Sequence, residues 1–345
     1  MGVVSVQPVL QVHIPFPLKI KSVNTNTSKM KLKTLDYFFV LRPTLFFPVW
    51  TVSLAGFWAQ ERFGPQAKES ARMTAEHGDI SPILVIAILT LMMGSVFILN
   101  QLFDVETDKI NDKLYLIASG AIPKQAAHLE MILLMLSPIL LLFFGRYDLF
   151  AIMVLIYLVT GYLYSGNPFH LKNRPYGGIF ANLVGGLLIF TVGWNISGEI
   201  NTNLLFHALP YISGFLAVYF FTTIPDVGGD LLAGKITIAV KHGVKPVLIA
   251  GTILMVVAVA LAAVAEDIVV LLPTALSVPF FVVSLKTKSV KRVLEANKYA
   301  TLFLSLMICY RFPLYLLIII FIYFFCKWYY KKRFQVNYPS LKPCQ

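Results

Sequence analysis

Two short acidic stretches stand against apolar segments in a chain that is 57% hydrophobic. The first reads Asn100-Gln101-Leu102-Phe103-Asp104-Val105-Glu106-Thr107-Asp108, and the second Pro225-Asp226-Val227-Gly228-Gly229-Asp230. Positions four apart fall on nearly one face of a helix, so Asn100, Asp104 and Asp108 form one oxygen-bearing stripe and Asp226 with Asp230 a second. A carboxylate at lipid depth is costly unless it faces a bundle interior or a wet cavity, so both stripes are expected to line a site. Two facing carboxylate stripes suit a hard divalent cation, which takes oxygen ligands.

The elements that must position these stripes are membrane helices. With 345 residues and only 13% charged, the chain is too apolar for a soluble globule. A helix needs about 20 apolar residues to cross a bilayer, and nine segments qualify, centred on 37–59, 82–102, 124–144, 149–165, 177–197, 204–224, 246–265, 267–285 and 299–326. The expected fold is all-α: a polytopic transmembrane helical bundle of about nine helices around a central cavity. Residues 1–29 hold no apolar run long enough for a signal peptide and read as a disordered leader or an over-extended start. Residues 30–327 form the helical domain and 328–345 a basic tail.

A net charge of +12 raises nucleic acid as a partner, but the basic residues are dispersed among short loops rather than gathered on one soluble face, and no nucleic acid is expected. Topology explains them. With a cytoplasmic amino terminus, the inter-helix loops on that side carry thirteen Lys and Arg residues and those opposite carry four, as the positive-inside rule requires. Both acidic motifs then face the cytoplasm, with the plasma or inner membrane as the expected location. An odd number of spans sends the tail with Lys327, Lys331, Lys332 and Arg333 to the far side, against that trend, and Arg311 with Pro313 interrupts the last span.

The first stripe, followed by Asn111 and Ala118-Ser119-Gly120, resembles the first signature of the UbiA-type superfamily of intramembrane prenyltransferases. Asp226 and Asp230, followed by Gly234, Thr237 and Lys241-His242-Gly243, resemble the second. Between them, Tyr164-Ser165-Gly166-Asn167-Pro168-Phe169-His170-Leu171-Lys172 is similar to the family's middle loop. The resemblance runs from about Leu35 to the last helix, and it rests on three motifs in the family's order. The chain departs from the pattern at Gln101, Thr223 and Gly228, where relatives commonly carry acidic residues.

The resemblance implies transfer of an isoprenoid chain from a prenyl diphosphate to a small aromatic or lipid-like acceptor within the membrane, with Mg2+ as cofactor and the quinone and tocopherol branch as nearest kin. Asn100, Asp104, Asp108, Asp226 and Asp230 would hold the metal against the diphosphate. Lys172, Arg42 and Lys113 would hold diphosphate oxygens. Tyr164 would face the allylic cation, since ring faces attract cations. The rival is a secondary transporter, which also places carboxylates between repeats. A carrier wants them near mid-bilayer, whereas both motifs here begin at span ends and run into loops.

Overall fold

A computed structural model describes residues 34–64, 80–111 and 116–339. Every regular element among them is helical. The first is α1 (Thr34–Val40), which breaks at Arg42 and resumes as α2 (Phe46–Phe63). Then follow α3 (Pro82–Asn111) and α4 (Lys124–Met135), which is extended by a tightly wound segment to Phe144. Next come α5 (Tyr147–Ile156), prolonged by wider turns to Leu163, and α6 (Pro175–Trp194) and α7 (Thr202–Thr222). Two short helices, α8 (Val227–Leu232) and α9 (Ile238–His242), lead to α10 (Val244–Val264), α11 (Ile268–Thr287), α12 (Val290–Arg311) and α13 (Pro313–Phe334).

Among the described residues, eight helices are long and apolar enough to cross a membrane, and Tyr147–Leu163 is a shorter apolar one. Their outer faces carry large apolar side chains, such as Phe143 at 82% and Phe321 at 65% exposure. A water-facing surface would not spread such groups over every helix. Helices pack closely where side chains are small. A Cβ at Gly193 of α6 would lie 1.7 Å from the Ser53 carbonyl oxygen of α2, and one at Gly56 would lie 2.0 Å from that of Phe190. Only hydrogen fits between these two backbones.

The last expected span, 299–326, is two helices. Pro313 has no N–H to continue α12, and a residue before proline avoids the helical region; Phe312 is accordingly extended at φ −121°, ψ 80°. Arg311 sits at the turn, 3.5 Å from Glu61 and over the Trp58 ring, so α12 ends beside the far end of α2. From there α13 returns along α2 and α1. Tyr315 donates to the Phe47 carbonyl at 3.0 Å and shares a 2.9 Å hydrogen bond with Thr51. Tyr329 stacks on Phe39 with ring centres 3.5 Å apart. At the end, Tyr329 and Arg333 donate to the fully buried Asp36 carboxylate at 2.5 and 2.8 Å. The basic residues of the tail therefore lie at the same end of the bundle as the start of α1, which reverses the side expected from an odd count.

Candidate active site

That same end of the bundle opens into a cavity of about 500 Å³. Its deep wall is apolar, from Val49 and Val52 of α2, Met93, Val96 and Phe97 of α3, Ile189 of α6 and Phe215 of α7. Its mouth is polar. One turn apart along α3, Asn100, Asp104 and Asp108 all reach it, as helical spacing dictates. Across from them stand Asp226, which directly precedes α8, and Asp230 within it. Gly234, in the left-handed conformation at φ 69°, ends α8 and turns the chain back, so that Lys235 N bonds the Asp230 carbonyl at 2.8 Å. The middle loop is tied in by Ile236 N, which donates to Asn173 O at 3.2 Å, and this brings Lys172 and Lys235 to the same place.

Asp104 is where the three segments meet. Lys172 Nζ donates to its Oδ2 at 2.7 Å and Lys235 Nζ to its Oδ1 at 3.3 Å. Asn100 stands beside the pair, with Nδ2 3.0 Å from Ser165 Oγ. Turned over, the amide accepts from Ser165 at 3.0 Å and Lys172 at 3.3 Å and donates to Asp104 at 3.3 Å, the orientation its neighbours call for. Burial holds the Lys172 ammonium below its ordinary value, while Asp104 pulls it upward. Asp108, beyond the apolar part of α3, is pushed up to about 6 by burial and then by the nearby Asp104 charge, with Arg42, Lys235 and Lys172 opposing. Its Oδ2 is buried without a hydrogen-bond partner. A smaller apolar chamber of about 100 Å³ shares Pro48, Val52 and Phe215 with the cavity wall. Its Thr274 and Ser277 hydroxyls bond back to their own helix, which leaves the lining greasy.

The sequence matches the UbiA prenyltransferase family over residues 70–292, which takes in all three motifs. The chain belongs to the UbiA prenyltransferase family. Among UbiA-type relatives, it is 27% identical over 190 residues to digeranylgeranylglyceryl phosphate synthase of Sulfurisphaera tokodaii, covering 52% of this chain and 63% of that protein. It is 27% identical over 179 residues to the probable chloroplastic homogentisate phytyltransferase 2 of Oryza sativa, covering 49% and 47%. The chain thus matches about half to under two thirds of the length of these relatives. A UbiA homolog from Archaeoglobus fulgidus, solved with GPP and Mg2+, shares the fold with a TM-score of 0.58 at 18% identity, covering 79% of this chain and 98% of that one.

Asn100, Asp104, Asp108, Asp226, Asp230, Tyr164, Lys172 and Arg42 all line the one cavity. Lys113 lies outside the described residues. Lys235, Asn182 and Tyr219 also line it, beyond the residues expected from sequence. Asn182 and Tyr219 belong to no motif, and the signal that finds them is polarity within an apolar helix. The residues also fit Mg2+. Among the described residues no three carboxylate, His or Cys groups converge tightly enough to hold an ion by themselves, so Mg2+ would need water and phosphate oxygens to complete its shell. The orphaned Asp108 oxygen and the two lysines drawn onto Asp104 mark where a cation is wanted.

Proposed function

We propose that this protein transfers an isoprenoid chain from a prenyl diphosphate to an acceptor inside the membrane, with Mg2+ as cofactor. One observation carries the reading: four carboxylates, an amide, two lysines and Arg42 crowd the mouth of a cavity whose depth is apolar. Phosphate chemistry needs the mouth, and an isoprenoid chain needs the depth. Solved UbiA homologs bound to GPP or DMAPP with Mg2+ support the same assignment.

Asn100, Asp104, Asp108, Asp226 and Asp230 would hold Mg2+. The bound ion supplies positive charge that stabilises the departing diphosphate. The chain's own groups do the rest. Lys172 and Lys235 exchange Asp104 for diphosphate oxygens, and Arg42 adds a planar donor fork that matches phosphate. Asn100 keeps Lys172 and Asp104 in register as that exchange occurs. The Tyr164 and Tyr219 rings face the allylic carbon, where a ring quadrupole favours developing positive charge. The apolar wall around Val52, Phe97 and Phe215 keeps water from the cation, and the adjoining chamber takes the far end of the chain.

The acceptor is an aromatic ring of the quinone or tocopherol precursor type; the relatives named above include both a homogentisate enzyme and a glyceryl phosphate enzyme. The mouth faces the cytoplasm of a plasma or inner membrane, as the charge bias of the loops supports. A transporter would need its carboxylates near mid-bilayer, and these lie toward the end of α3 and beyond the end of α7.

The test is product analysis by mass spectrometry on membranes given prenyl diphosphates of several lengths and a panel of aromatic and glyceryl acceptors. An aromatic prenylated product is expected, silenced reversibly by chelation. Asp104→Ala and Asp230→Ala should each abolish it while membrane insertion stays normal. Full activity in either variant, or in excess chelator, removes the reading.

A further inference from the structure

Gln101 follows the first residue of the carboxylate stripe but turns away from the cavity. It is 2% exposed, and its Nε2 donates to the Val40 carbonyl at 2.7 Å and to that of Phe97 at 3.0 Å. Val40 is the last residue of α1. The helix stops there because Arg42 adopts left-handed backbone, φ 55° and ψ 63°, and Pro43 has no N–H to give. The carbonyls at a helix end need donors from elsewhere, and Gln101 supplies one across 61 positions of sequence.

Left-handed backbone is unfavourable for any residue with a Cβ and persists where the surroundings impose it. Here α1 is held on both sides. Gln101 grips its end from α3, and α13 grips its flank through the Phe39–Tyr329 stack and the Asp36 hydrogen bonds. Arg42, the residue at the break, lines the cavity and its charge is felt at Asp108. We propose that Gln101 is a positioning residue, which by fixing the break after α1 keeps the Arg42 guanidinium turned toward the place of the diphosphate. The inference rests on the reading above for the ligand, and on the hydrogen bonds just named for the mechanism.

The test reads binding as well as turnover, on purified full-length protein with inorganic pyrophosphate and Mg2+ as the probe. Gln101→Leu keeps the bulk and loses the donor. It should weaken pyrophosphate binding about tenfold, the loss of one charge-assisted contact, and should raise KM for the prenyl diphosphate more than it lowers kcat. In an Arg42→Ala background the same change should do nothing further. Unaltered pyrophosphate binding in Gln101→Leu, or effects of the two substitutions that add, would overturn the inference. If Gln101→Leu fails to accumulate in membranes, Tyr329→Phe loosens α1 from its other flank, with the same pattern expected and the same two results against it. A parent protein that binds pyrophosphate but prenylates nothing defeats the proposed activity and leaves the coupling test standing. A parent that binds none defeats both.

Discussion

Asp108 combines a buried oxygen that lacks a hydrogen-bond partner with a carboxyl pushed up to about 6 by burial, and on the proposed Mg2+ assignment that pairing ties metal binding to pH. Only the ionised carboxylate is a good ligand. The Mg2+ concentration needed for half-maximal activity should therefore rise as pH falls through about 6, and Asp108→Asn should flatten that dependence while weakening the metal throughout. On stability the sign is opposite. The folded state holds this proton at pH values where the unfolded chain, near 3.8, has released it, so the contribution to stability falls as pH rises through that window. Lys235 supports a second expectation. Lys235→Ala removes one of two cations on Asp104, and it should weaken binding of prenyl diphosphate by about tenfold, the value of one charge-assisted hydrogen bond, measured as KM with kcat little changed. The sequence shows the carboxylates because a spacing of four has only one reading on a helix. It hides Lys235, whose arrival depends on the left-handed turn at Gly234. It hides the role of Gln101 too, since the carbonyl it meets lies 61 positions away.

Between elements, α2 and α6 come into backbone contact at Gly56 and Gly193. Gly193→Ala puts a methyl group where the Ser53 carbonyl oxygen already is, and the two helices must separate. The expected loss is about 1–3 kcal/mol, as for an overpacked core, read as lower thermal stability in detergent with membrane insertion retained. Both helices line the cavity, so its width should change with the spacing. Hydropathy alone locates most of the helices, because about 20 apolar residues in a row have few alternatives in a bilayer. It fails at the last one, where 299–326 reads as a single apolar run although Pro313 lies within it. A hydropathy window registers proline as a residue of middling polarity and takes no account of the hydrogen bond it removes.

For the molecule as a whole, the division of that last run decides where the tail goes. With α13 returning beside α1, the cluster Lys327, Lys331, Lys332 and Arg333 joins the other basic loops. A cysteine placed at Val336 should label with an impermeant reagent only after the cytoplasmic face is opened, together with one placed at Lys172 or Lys241; labelling of Val336 alone from the outside of intact cells would refute the return path. The bond between Arg333 and Asp36 spans 297 positions, and the order of synthesis gives that separation a meaning. Asp36 is translated with α1, 297 positions before the Arg333 guanidinium that bonds it in the finished bundle. Until then the nascent chain cannot form this bond, and a polypeptide that stops at Arg311 never forms it. The contact that ties α13 to α1 is thus made only once α13 itself has been translated, and it is lost from any product cut short before it.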